Sequence, residues 1–140
     1  MRVVRRRSGP RPLAIHLFAA LFLAQGLIAF GAAMTDLPAY AAWYVSHLPV
    51  PAPGRDAAIV LASARLTIAA IPVALVWLLA VRFARWFVAA VALARLASAP
   101  VAIADGTASG AWWASLALAL FAAVCLFTPA AAAWFAGGRE

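Results

Sequence analysis

"RRRSGPRPLAIHLFAALFLAQGLIAFGAAM" (residues 5–34) sets a cluster of arginines directly against a long apolar run. From Leu13 to Met34 the run carries no Asp, Glu, Lys or Arg. A helix over that run is about 33 Å long, enough to cross the hydrocarbon core of a bilayer. It exceeds the 7–15 residues usual for the apolar part of a signal peptide, so a retained span is the reading. "RRRSGPR" resembles a twin-arginine signal only in its Arg pair.

The rest of the chain repeats this pattern. Apolar segments follow at about 58–81, 84–104 and 111–128. Of the 140 residues, 68% are hydrophobic and 11% charged. Soluble domains carry about 25% charged residues. Mean hydropathy is +1.00. A soluble fold of this length has too little interior to hide so much apolar surface, whereas a membrane protein does not need to hide it. Backbone polar groups find no partner in lipid, so the spans must be helices. The expected fold is all-α: four transmembrane helices in an up-down bundle, one domain over residues 13–135. A basic segment (1–12) precedes it and a short tail (136–140) follows.

Every basic residue is Arg. This, with the abundance of Ala, resembles the output of a GC-rich bacterial genome. Arg2, Arg5, Arg6, Arg7 and Arg11 precede the first span, Arg82 and Arg85 join the second to the third, and Arg139 follows the fourth. The positive-inside rule places these regions, and both termini, in the cytoplasm. The two other loops carry Asp36, Asp56 and Asp105, with Arg55 their only Arg. Tryptophan gives an independent check. Trp43, Trp112 and Trp113, with Tyr44, fall at outer boundaries; Trp77, Trp86 and Trp134 fall near inner ones. All are expected as interfacial anchors. A multi-pass protein of the bacterial inner membrane follows. The pI of 11.6 does not indicate nucleic acid, because the charge sits beside spans, where orientation and anionic lipids account for it.

The first external loop, residues 35–57, contains a helical pattern. Thr35 or Asp36 can cap a helix, and Pro38 suits its first turn. Leu37, Tyr40, Tyr44 and Leu48 recur at helical spacing, which predicts a short interfacial helix. "PVPAPG" (49–54) then ends it as a stiff connection.

Several chemistries are excluded by what the spans lack. Proton-coupled transport generally uses intramembrane Asp, Glu or His. Here every acid lies in a loop or at the terminus. Cys125 is single, so no dithiol couple exists. His16 and His47 fall on opposite sides and cannot share one haem. No ligand cluster points to a metal. No cofactor is expected. Ala90, Ala94, Ser98 and Ala102 form a small-residue stripe suited to close helix packing.

"LASARLTIAAIP" (61–72) and "VALARLASAP" (91–100) bury arginines inside spans. Arg65, Arg95 and Gln25 all lie roughly 10–14 Å below the expected outer surface. Ser63, Thr67 and Ser98 are near that level, and Asp36, Asp56 and Asp105 ring the rim. Side chains lean toward their helix's N-terminus. Arg65 therefore leans outward and is expected to snorkel toward Asp56 or headgroups. Arg95 leans toward the bilayer centre and must face the bundle, toward Gln25, Ser98 or a carbonyl freed by Pro72 or Pro100.

These readings converge on a small non-enzymatic membrane protein. It would be an accessory subunit, or an outer-leaflet binder of lipid or a small ligand. The candidate site is Arg95, Arg65, Gln25 and Ser98, with Asp105 and Asp56 at the rim. Expected partners are membrane lipids, a larger membrane complex or further copies of the chain. The alternative is a small oligomeric channel or transporter. A lipid-acting membrane enzyme ranks third, since no residue spacing supports it.

Overall fold

Caps and prolines punctuate the chain, and the helices obey them. In a computed structural model, residues 10–47 and 54–136 are described. The expectations for Arg2, Arg5, Arg6, Arg7, most of "PVPAPG" and Arg139 lie outside the described residues, as does the side chain of His47. Among the described residues seven helices follow in order: α1 (Leu13–Thr35), α2 (Leu37–His47), α3 (Arg55–Leu79), α4 (Arg82–Ala97), α5 (Ala99–Ala104), α6 (Gly110–Leu126) and α7 (Pro129–Ala136). No strand occurs among the described residues.

Three helices are long and apolar enough to cross a membrane: α1, α3, and α4 continued by α5. The α6–α7 pair makes a fourth if it counts as one bent span. Asp36 caps α2, its Oδ1 accepting from the Ala39 amide at 3.0 Å. Ser109 caps α6 in the same way, accepting from Trp112 N at 3.2 Å. Both side chains satisfy amides that a helix start leaves open. Between α4 and α5, Pro100 can give no hydrogen bond to Leu96. The ladder nevertheless carries through, with Ser98 N on Ala94 O and Ala102 N on Ser98 O, each at 3.0 Å.

Helix α6 covers the fourth apolar segment, expected over 111–128, and the chain does not run straight on from it. It bends by 58° after Leu126. Thr128 Oγ1 turns back to the Cys125 carbonyl, and Pro129 opens α7. Hydropathy is blind to this bend, since both sides of it are apolar. Two arginines hold α7 in place. Arg82 Nε donates to the Phe135 carbonyl at 3.0 Å. The Arg85 guanidinium stands 5.4 to 5.8 Å from the ring centres of Trp86, Phe127 and Phe135. Folding back carries Trp134 into the core at 4% exposure, so it is not the belt residue expected from its position.

The core is thickest at the α7 end, where Phe18, Val76, Val88, Leu126 and Phe135 meet. α1 is central, with its largest interfaces on α6 and α3. α4 packs on α6 and touches α3 more sparingly, which leaves a seam between α3 and α4.

α3 ends in a left-handed αL cap. Ala80 N donates to Val76 O, closing the 5→1 bond of that cap, and Val81 N donates to Leu75 O, both at 3.2 Å. Ala80 supplies the left-handed residue at φ 50°. That conformation costs a residue with a Cβ about 1–2 kcal/mol. Ala80→Gly should therefore raise the thermal midpoint in detergent, by a gain of up to about 1 kcal/mol once the lost methyl packing is offset. An unchanged or lower midpoint would show that the methyl outweighs the strain.

Candidate functional site

A guanidinium stays charged in any protein environment and only donates. Arg95, near the end of α4, must therefore find acceptors among apolar helices, and it finds two. Its Nη1 donates to Gln25 Oε1 of α1 at 2.8 Å. Its Nη2 donates to Ser115 Oγ of α6 at 3.0 Å. Ser115 closes the triangle by donating to the Gln25 carbonyl at 3.2 Å, with Gln25 Oε1 at 3.3 Å. Gln25 and Ser115 are 7% and 1% exposed and are the only buried polar or charged residues among those described. Because Oε1 must face the arginine, the Gln25 Nε2 donor is turned away from it and bonds no described residue.

Arg95 also lines a cleft of about 250 Å³. Its walls come from α1 (Phe22, Gln25, Gly26), α3 (Arg65, Leu66, Pro72) and α4 (Phe87, Val91), and Tyr40 of α2 reaches its upper end. Ile68 and Phe87 stand at its lip, 59% and 43% exposed, so the cleft opens through the α3–α4 seam onto the outside of the bundle. Among the described residues its lining contains two arginines and no acidic residue. Gly26 fixes its back wall. A Cβ there would meet Ala69 Cβ and a Leu66 methyl, each at 3.2 Å. The leucine can rotate aside, but Ala69 Cβ moves only with its helix.

Arg65 is exposed and makes no hydrogen bond or ion pair with any described residue. It faces the cleft rather than Asp56, which stays exposed in the first turn of α3. Its charge reaches Tyr44 of α2. The Tyr44 hydroxyl lies 3.1 Å from that of Tyr40. Burial, then that hydrogen bond, pushes the Tyr44 pKa up to about 12, against the opposing pull of Arg65. Tyr40 closes the upper end of the cleft, with Tyr44 bonded behind it.

The structure brings together Arg95, Gln25 and Arg65. It leaves out Ser98, whose hydroxyl donates to its own helix at Arg95 O (2.7 Å), and Asp56 and Asp105, both exposed in the chain's turns. Ser63 and Thr67 are exposed too, Thr67 Oγ1 bonding Ser63 O. Ser115 belongs to the site although nothing marked it in an apolar segment. Its one signal is depth: it lies five residues into α6, close to the level of Arg95. Ala90 and Ala94 of the small-residue stripe point away from the bundle. The anchors divide by end. Trp43 packs edge-on with Tyr44 and Trp112 with Trp113 at one end; Trp77, under Arg11 at 4.1 Å, and Trp86 are at the other. Among the described residues no three His, Cys, Asp or Glu come together as a metal site. The chain matches no family model, no curated protein and no solved structure.

The triangle makes a coupled prediction. Gln25→Leu strands part of a half-buried guanidinium and should cost about 2 kcal/mol, read as a lowered unfolding midpoint in detergent. Adding Arg95→Leu should recover part of that loss, because the stranded charge goes with it. Simple additivity of the two substitutions would mean that the pair does not act as a unit.

Proposed function

We propose that the protein is a non-enzymatic membrane protein that takes an amphipathic ligand from the outer leaflet into the α3–α4 cleft. In this reading α1, α3, α4–α5 and α6–α7 are four spans of an up-down bundle in the bacterial cytoplasmic membrane. Arg11, Arg82 and Arg85 mark the cytoplasmic end; Asp36, Asp56 and Asp105 mark the outer end. α2 then lies along the outer interface, with Tyr40, Trp43 and Tyr44 as its anchors.

One observation carries the reading. Arg65 is a permanent cation on the wall of a laterally open apolar cleft, with no hydrogen bond or ion pair to any described residue. Intramembrane charges of this kind are costly, which makes them functional candidates where packing does not use them. Arg95 is used by packing and Arg65 is not. The cleft is somewhat smaller than the roughly 300–1,000 Å³ of sites that engulf small molecules. It suits part of an amphiphile, the remainder staying in the leaflet.

Native mass spectrometry of protein extracted in a mild detergent tests this directly. Wild type should carry an amphiphile of membrane origin that is missing from Arg65→Leu/Arg95→Leu. A bare wild type, or equal adducts on both proteins, would remove the binding role.

A further inference from the structure

The cleft has a direction. Gln25, Arg65 and Arg95 gather its polar atoms at one level. From Arg65 the α3 wall continues to Pro72, and from Arg95 the α4 wall continues to Phe87, both toward the α7 end. Those stretches add about 10–12 Å of purely apolar lining. In the opposite direction the cleft ends under Tyr40. An occupant therefore meets charge on the α2 side and hydrocarbon on the α7 side. A lipid of the leaflet at the α2 end would enter the seam in that same orientation.

The charge has a sign and a shape. Two guanidiniums line the cleft, and none of the described residues that line it is an acid. The donors also come from three helices: Arg65 from α3, Arg95 from α4 and the spare Gln25 Nε2 from α1. A planar carboxylate is satisfied by one arginine fork lying in its plane. A tetrahedral oxyanion accepts donors from several directions, as phosphate does from clustered arginines. Arg95 retains further N–H donors beyond the two it gives to Gln25 and Ser115.

Resting on the amphiphile-binding role, we infer that the occupant is the phosphate end of a lipid with net negative charge, held between Arg65 and Arg95, with one acyl chain running past Phe22 and Phe87. The cleft's volume admits one chain segment and not two. A choline or ethanolamine cation beside the phosphate would face the two arginines, which selects against zwitterionic headgroups.

The test uses the full chain in a neutral detergent, with binding followed by thermal shift and native mass spectrometry. The probes are lysophosphatidylglycerol, lysophosphatidylcholine, a fatty acid of equal chain length, and inorganic phosphate. Lysophosphatidylglycerol should bind about tenfold tighter than lysophosphatidylcholine or the fatty acid, as expected when one charge-assisted contact is gained. Arg65→Gln should reduce that preference to about twofold or less. Arg65 makes no hydrogen bond to a described residue, so this variant is expected to fold as wild type, and its unbound midpoint verifies that. Equal binding of all three amphiphiles overturns the headgroup assignment and leaves the amphiphile-binding role intact. Binding of none removes both. Fatty acid binding as tight as lysophosphatidylglycerol rules out phosphate selection. Inorganic phosphate protecting the protein alone, as strongly as the lipid, replaces the lipid by a free anion.

Discussion

The structure is organised around one requirement: the Arg95 guanidinium has to be supplied with acceptors where lipid and apolar side chains offer none. Burying an unpaired charge is prohibitive, and arginine has no neutral form to retreat to. α1 and α6 each bring one acceptor to the same height, Gln25 and Ser115. That fixes the vertical register of three helices at once. Apolar packing alone would specify this register weakly, because lipid tails compete equally well for leucine and alanine surface. The Ser115 bond to the Gln25 carbonyl ties α1 to α6 independently of the arginine, along the largest helix interface of the bundle.

α3 is positioned by different forces, and the cleft results from that difference. It contributes nothing to the Arg95 triangle. It is held to α1 by close approach at Gly26 and to α4 by a two-residue turn in which Ala80 accepts a left-handed backbone. Glycine thus pulls α3 toward α1 at the level where the triangle pulls α4 toward α1 and α6. The two pulls leave the α3–α4 seam filled less well than the other interfaces. Pro72, which breaks one rung of the α3 ladder, lines the cleft at its deep end. The open wall is therefore a consequence of how the other three interfaces are satisfied.

Much of this was legible in the residues. Asp36 and Pro38 announced α2, and the helix is where they put it. The expected direction of α4 turned Arg95 toward the bundle with Gln25, Ser98 or a freed carbonyl as partners, and of these it bonds Gln25. The limits were physical. Ser115 was hidden because serine in a transmembrane run is ordinarily just a small residue; only its height relative to Arg95 gives it meaning. Ser98, one turn from Arg95, was the more obvious partner, yet a helical serine readily bonds a carbonyl of its own preceding turn, and it does so here. The bend before α7 was hidden because both of its arms are equally apolar. Trp134 moved from an expected belt into the core as a result. Arg65 was expected to reach outward to Asp56 or to headgroups, and it makes no ion pair with Asp56. Its lean does carry it toward α2, where its charge is felt by Tyr44, but its own wall of the helix faces the cleft.

The two A-x-A-R-L arginines are thus alike in sequence and depth but differ in what they are joined to. Arg95 has its charge distributed over a triangle that packing would need even if nothing ever bound. Arg65 has no such explanation. Removing its guanidinium would break no hydrogen bond to a described residue, and its charge raises the potential of a cleft that already contains one cation. Placing two like charges in one apolar cleft opposes folding unless something of opposite sign completes them. No acid among the described residues lines that cleft. A structural account would place an acid beside Arg65 or move the arginine to the rim. The arrangement instead leaves the positive potential directed at the seam, which is the feature the proposed anionic ligand would use.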